Sequence, residues 1–256
     1  MFADHFQTGP GLRELHFVPA IAPASFRAFS RGRHSHLFWS AVSARLQRER
    51  ISDSHRMVLM PTNSAKWPGE GINPRGILAE AAQRCGWFLR VISDESLPLW
   101  PEVPLLASGN PSFDLARPLN YTDRRGHVVR PGLRSADLLL RETRHTRVFL
   151  DMQARPLYVV SPVALARRPD ELPGHTSGAA WRELWRSALP LLDGHEGAFE
   201  AMELNVGAWQ NLPHLHLKMW VAAEEHEARW LGNSTYRRLR AVSAQMPQLI
   251  RHMRSE

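Results

Sequence analysis

Cysteine and lysine are the scarce residues of this 256-residue chain. Its single cysteine, Cys85, excludes an internal disulfide and any zinc site built on several thiolates. Lys66 and Lys218 are the only lysines, so arginine carries nearly all of the formal net charge of +7. No stretch approaches the roughly 18 consecutive apolar residues that a membrane helix needs. The start, "MFADHFQTGPGLRELHF", lacks the basic opening and apolar run of a secretory signal, and a cytoplasmic protein without membrane partners is expected. Coding bias accounts for the arginine excess more readily than selection does. A basic surface nonetheless suits polyanions such as nucleotides and nucleic acids.

What remains is an ordinary globular composition, 43% hydrophobic and 22% charged, long enough for one large domain or two small ones. No repeat stands out. Residues 1–36 are rich in Pro, Gly, Arg and Phe without clear periodicity, and are expected to wrap the surface. Phe38, Val42 and Leu46 recur at helical spacing in 36–50, and "RMVLMP" at Arg56–Pro61 reads as a short buried strand. Asn73 as cap, Pro74 in the first turn and Gly86 after the last bracket a helix, and "WFLRVIS" then forms a strand. Strand, helix, strand predicts a βαβ unit with parallel strands. The loop holding Lys66, Gly69 and Gly71 matches neither a P-loop nor a dinucleotide fingerprint, so an ordinary connection is expected.

Residues 94–134 are dense in proline and turn residues, which sets a boundary near residue 132. The expected organisation is an α/β region over 1–131, an α+β domain over 132–225 and a basic helical tail over 226–256. In the middle domain the order is helix "SADLLLRET", strands "RVFLDM" and "LYVVSP", helix "AAWRELWRSALPLL", then strands "AFEAMELNV" and "HLHLKMWV". That order predicts a mostly antiparallel sheet with packed helices. In the last strand, alternation puts His214, His216 and Lys218 on one face and Leu215, Leu217 and Met219 on the other. One face is core. The other asks for a ligand.

Asn205, Gly207, Gln210, His214 and His216 follow one another in "LNVGAWQNLPHLHLKMWV". This pattern resembles the histidine-triad superfamily, whose signature strand reads His-x-His-x-His, or His-x-His-x-Gln in its transferase branch. "PHLHLKMW" is most similar to that branch, the galactose-1-phosphate uridylyltransferases and dinucleoside tetraphosphate phosphorylases. "RVFLDMQARPLYVVSP" is similar to the family's paired strands, one ended by Asp and the next by Pro, and the likeness spans about residues 136–222. Lys218 stands where the family has His or Gln.

The resemblance implies a histidine-triad-like sheet and a nucleotide substrate, handled without metal or cofactor. It casts His216 as the nucleophile that attacks the α-phosphorus, with His214, Gln210 and Lys218 assisting. It also makes Asp151 an acceptor for ribose hydroxyls, Phe149 (beside Val148 or Met152) a wall of the base pocket, and Asn205, Gly207 and Asn211 part of the substrate site. An imidazole is a competent nucleophile towards phosphorus and divides one hard displacement into two easier ones. Hydrolase and transferase both remain open, as does a non-catalytic nucleotide- or RNA-binding module in which Lys218 marks lost chemistry. A metal site on His214 and His216 would need a third ligand such as His175, Glu203 or Glu224. The second His-x-His pair, His34 and His36, lacks the surrounding pattern and reads as surface. Trp181 and Trp185 read as core. The arginine-rich tail reads first as a solvated face and second as a nucleic-acid contact. Acceptor specificity, a lid, or the surface of a homodimer are the roles open to the N-terminal half.

Overall fold

The computed structural model describes residues 2–9, 11–20, 26–51, 53–62, 77–97, 114–122, 127–172, 179–192, 199–210 and 214–245. In chain order these form β1 (Phe2–Gly9), β2 (Leu12–Val18), α1 (Phe26–Arg31), α2 (Arg33–Arg48), β3 (His55–Pro61), α3 (Ile77–Cys85) and β4 (Trp87–Asp94). Next come β5 (Tyr121–Thr122), β6 (Val128–Val129), β7 (Leu139–Glu142), β8 (Thr146–Leu150) and β9 (Leu157–Pro162). The chain continues with α4 (Ala179–Ala188), β10 (Phe199–Val206), β11 (Leu217–Val221), α5 (Ala223–Trp230) and α6 (Ser234–Gln245). Nine strands make one sheet in the order β1-β2-β4-β3-β10-β11-β9-β8-β7, while β5 and β6 pair separately. Every ladder is antiparallel, which makes the fold α+β. Among the described residues no helix is long and apolar enough to cross a membrane.

Several sequence expectations are corrected. β3 and β4 are neighbours but antiparallel, with Arg56 opposite Ile92 and Pro61 opposite Trp87. Strand-helix-strand order makes strands neighbours without fixing their direction. Here the nine-residue α3 ends at Gly86, whose φ of 74° is open to glycine at little cost, and the chain turns straight into β4. The helix expected from "SADLLLRET" is a single 3-10 turn, Ser135–Leu138, followed by edge strand β7. Asp137 closes that turn by accepting from the Arg134 amide at 2.7 Å, and Leu139 then pairs with Phe149 on β8. The N-terminal residues expected on the surface supply the β1–β2 hairpin. β11 begins at Leu217, so His214 and His216 stand just before the strand rather than in it.

A repeat invisible in the sequence exists in the topology. β1-β2-β4-β3 and β8-β9-β11-β10 each consist of a hairpin, an intervening helical segment and two further strands, the last inserted beside the hairpin. The halves join where β3 runs antiparallel to β10, with Val58 opposite Glu203 and Arg56 opposite Asn205. The sheet is therefore continuous across residue 132.

Its two faces differ sharply. Leu15, Phe17, Met57, Leu59, Leu89, Val91, Met202, Leu204, Leu217, Met219 and Val160 are fully or almost fully buried on one face. α1 and α2 cover it through Phe26, Phe29 and Phe38, whose rings lie 5.1–5.9 Å from Trp87. α4 joins them: Trp185 stacks on Trp39 at 5.0 Å with 5° between planes. The opposite face carries Glu14, His16, Arg90, Arg56, Glu203, Asn205 and Lys218. Because strands are paired across both halves, polar side chains at alternate positions line up over the sheet.

The Trp39–Trp185 stack ties α2 to α4. Trp185→Ala should lower the unfolding free energy by about 3–5 kcal/mol, the range for deleting a buried aromatic side chain, as measured by urea denaturation. A loss below about 1 kcal/mol would mean that the two helices do not depend on that contact.

Candidate functional site

The site grows from the cross-strand pair Glu203 and Lys218, directly opposite each other on β10 and β11. Glu203 is buried, and its carboxylate meets Lys218 Nζ at 3.6 Å and Arg56 Nε at 3.5 Å. It also accepts from Asn205 Nδ2 at 2.8 Å and from the Trp220 indole N–H at 3.2 Å. Burial alone would raise its pKa, but Lys218, Arg56 and these donors outweigh burial and hold it at about 2. Burial pulls the Lys218 ammonium below its usual value while Glu203 opposes the shift. The pair therefore keeps a cation inside the protein that could not sit there alone.

His216 is buried next to this group. Its Nδ1–H donates to the His214 carbonyl at 2.9 Å, and a carbonyl can only accept. That fixes the tautomer: in the neutral ring Nε2 carries the lone pair. Among the described residues Nε2 has no hydrogen-bond partner. Burial first, then the positive charge of Lys218, pushes the His216 pKa down to about 4, so the ring is neutral at physiological pH.

The other expected residues divide into two groups. His214 donates from Nδ1 to the Ala166 carbonyl at 3.0 Å, and the same oxygen accepts from the Leu215 amide at 2.7 Å. Buried, and next to His216, His214 also falls to about 4. Gln210 turns its amide to the Arg167 carbonyl at 2.8 Å. These two side chains thus brace the segment after β9 against the segment before β11. Gly207 has φ of 64°, and a Cβ there would lie 2.2 Å from the Asp53 carbonyl oxygen, so only glycine fits. Ala208 N–H meets Ser54 Oγ at 3.1 Å, docking this turn on the approach to β3. Asn211 lies outside the described residues, as do His175, Lys66, Gly69, Gly71, Asn73 and Pro74.

Phe149 lies on the same face as Lys218, opposite Val159, and is buried. Asp151 is buried, and Arg155 grips both its oxygens at 2.7 and 2.8 Å while the Gln153 and Arg155 amides add contacts at 3.0 and 3.2 Å. A ribose hydroxyl would have to compete with that bidentate pair. Arg155 in turn lies 5.8 Å from the centre of the Trp220 ring. His34 and His36 sit on α2, the first exposed and the second half-buried. On α6, Arg237 and Arg238 are exposed while Tyr236 and Leu239 are buried. No group of three metal-ligating side chains occurs among the described residues.

Arg56, Arg155 and Trp220 escaped sequence reasoning, and Glu203 entered it only as a metal ligand. A signal for Glu203 existed: Glu203 and Asn205 alternate with buried Met202, Leu204 and Val206, the same pattern that marked His214, His216 and Lys218. Arg155, placed in a turn, left none.

No family model matches the chain, and no curated protein matches it. Seven chains of solved structures match. One, named "Structure of uridylyltransferase", shares 12% identity over 91% of this chain and 75% of that one, with a TM-score of 0.43. A likeness that distant assigns no activity here.

Replacing Glu203 with Gln should leave Lys218 and Arg56 uncompensated and lower the unfolding free energy at neutral pH by roughly 3 kcal/mol. Because the folded pKa of about 2 lies below the ordinary 4.5, the ionised form of Glu203 stabilises the fold above pH 4.5, and that contribution fades as pH falls towards 2. Urea titrations should therefore show the gap between wild type and variant narrowing below about pH 5. A constant gap would contradict the ion-pair account.

Proposed function

We propose that this protein transfers or hydrolyses a nucleoside monophosphate group through a nucleotidyl-His216 intermediate. The observation that carries the proposal is the 2.9 Å bond from His216 Nδ1 to the His214 carbonyl. It holds a neutral imidazole with its Nε2 lone pair available beside Lys218. In the first step Nε2 forms a bond to the α-phosphorus, the bond to the leaving phosphate oxygen breaks, and that oxygen departs with the electron pair. In the second, water or an acceptor phosphate attacks phosphorus and the imidazole leaves neutral.

Three cations, Arg56, Lys218 and Arg155, lie around two carboxylates, Glu203 and Asp151, so cations outnumber carboxylates among these five side chains, which suits an anionic substrate. Charge fixed before the substrate arrives stabilises a phosphoryl transition state without reorganisation. Asp151 contributes by aiming Arg155. Phe149 lends apolar surface for the base. His214, Gln210 and Gly207 hold the segments that lead to the nucleophile, and Asn205 adds a polar side chain on the same face. Glu203 and Asp151 are both committed to cations, so a leaving group that departs as a phosphate anion suits the site best. A binding module without turnover is the second option, favoured by the ion-paired state of Lys218.

The test is a product-identified screen of nucleoside di- and triphosphates, dinucleoside polyphosphates and nucleotide sugars, with and without added phosphate. His216→Ala should abolish turnover by about 10³-fold or more, whereas His34→Ala should not change it. Activity should also decline as pH falls through about 4, where His216 takes up its proton. Tight, salt-dependent nucleotide binding without turnover would favour the binding module.

A further inference from the structure

Among the described buried hydroxyls of the sheet, one has no protein partner. Thr146 on β8 reaches Ser187 Oγ at 2.9 Å, Ser93 on β4 reaches the Ser54 carbonyl at 3.2 Å, and Ser135 reaches the Arg117 carbonyl at 3.5 Å. Ser161 on β9 is fully buried, and among the described residues its Oγ meets no donor or acceptor. Ser30 and Ser35 share that state, but on α1 and α2, which pack on the apolar face. Ser161 alone lies on the polar face, in line with Leu157 and Val159. An apolar residue would continue that row. A hydroxyl there, without a partner, needs another explanation.

The strand register supplies one. The β9–β11 ladder ends with Leu217 opposite Val160, and the β10–β11 ladder ends with Leu217 opposite Leu204. Carried one step beyond both ends, that register sets His216 level with Ser161 on one side and Asn205 on the other. Asn205 repeats the anomaly: its Nδ2 serves Glu203, but its Oδ1 is buried and meets no partner among the described residues. Two residues with unsatisfied polar atoms thus share a row with His216, Ser161 able to donate and Asn205 Oδ1 only to accept, and the next residue along that row is Arg56, opposite Asn205. We infer that Ser161 is a phosphoryl-binding residue whose hydroxyl donates to one non-bridging oxygen of the α-phosphate held at His216. The inference rests on the nucleotidyl-transfer reading and adds a stereochemical consequence. A single donor on one side of phosphorus distinguishes its two non-bridging oxygens.

The experiment uses the full chain with ATP, UTP and the separate Rp and Sp isomers of their α-thio analogues, reading the rate of His216 nucleotidylation by intact mass and the thermal midpoint of each variant. Ser161→Ala should slow labelling by the oxo-triphosphates about 10- to 100-fold and leave the midpoint unchanged or slightly raised. The wild type should discriminate against one thio isomer, the one whose sulfur replaces the oxygen facing Ser161. That discrimination should collapse in Ser161→Ala and persist in Ser161→Thr, which keeps a hydroxyl. Wild-type labelling with an unchanged Rp/Sp ratio in Ser161→Ala overturns this inference and leaves the nucleophile assignment standing. If slowing accompanies a large drop in midpoint and Ser161→Thr keeps neither rate nor isomer preference, the hydroxyl is structural and the inference fails. Wild-type protein that labels with none of these nucleotides overturns both readings together.

Discussion

The buried Glu203 carboxylate is the constraint on which the rest of the polar face depends. It meets Lys218 across the β10–β11 ladder and Arg56 across the β10–β3 join, so one side chain ties together strands from both halves of the sheet. Without it, two cations would face each other out of water. With it, the sheet can carry polar chemistry on one face while packing helices on the other.

The two halves solve the same electrostatic problem differently. In the first, Glu14 grips Arg90 through two contacts at 2.6 and 2.9 Å and meets His16 Nε2 at 2.5 Å, a buried triad at the place in the repeat where Lys218 and its neighbours stand in the second half. Burial opposes ionisation of Glu14, yet the hydrogen bonds and charges of His16 and Arg90 carry its pKa below the usual value. His16 has its Nε2 engaged by a carboxylate. His216 instead commits Nδ1 to a backbone carbonyl and leaves Nε2 without a partner among the described residues. That difference in which nitrogen is committed separates a structural histidine from a candidate nucleophile.

Much of this was legible from residue order. The helix ending at Arg48, the strand at His55–Pro61 and the helix closed by Gly86 follow from apolar spacing and caps, and the alternation of His and Lys located the polar face. The β1–β2 hairpin was missed although Glu14 and His16 alternate with buried Leu15 and Phe17, the same polar–apolar pattern that marked the strand at Leu217–Val221. Strand direction left no signal: nothing in "RMVLMP" or "WFLRVIS" shows that they run antiparallel. Register across three strands, which sets Leu217 between Val160 and Leu204, exists only after folding. Resemblance to a known strand pattern singled out His216 as a candidate, while its fixed tautomer needed coordinates.

That tautomer is the central claim, and ring nitrogen chemical shifts test it most directly. Long-range proton–nitrogen correlation spectra of ¹⁵N-histidine-labelled protein, assigned with His216→Gln, should show His216 at neutral pH with its proton on Nδ1 and an unprotonated Nε2. The ring should stay neutral until pH approaches about 4. A His216 ring protonated on both nitrogens at neutral pH, or carrying its proton on Nε2, would contradict the account.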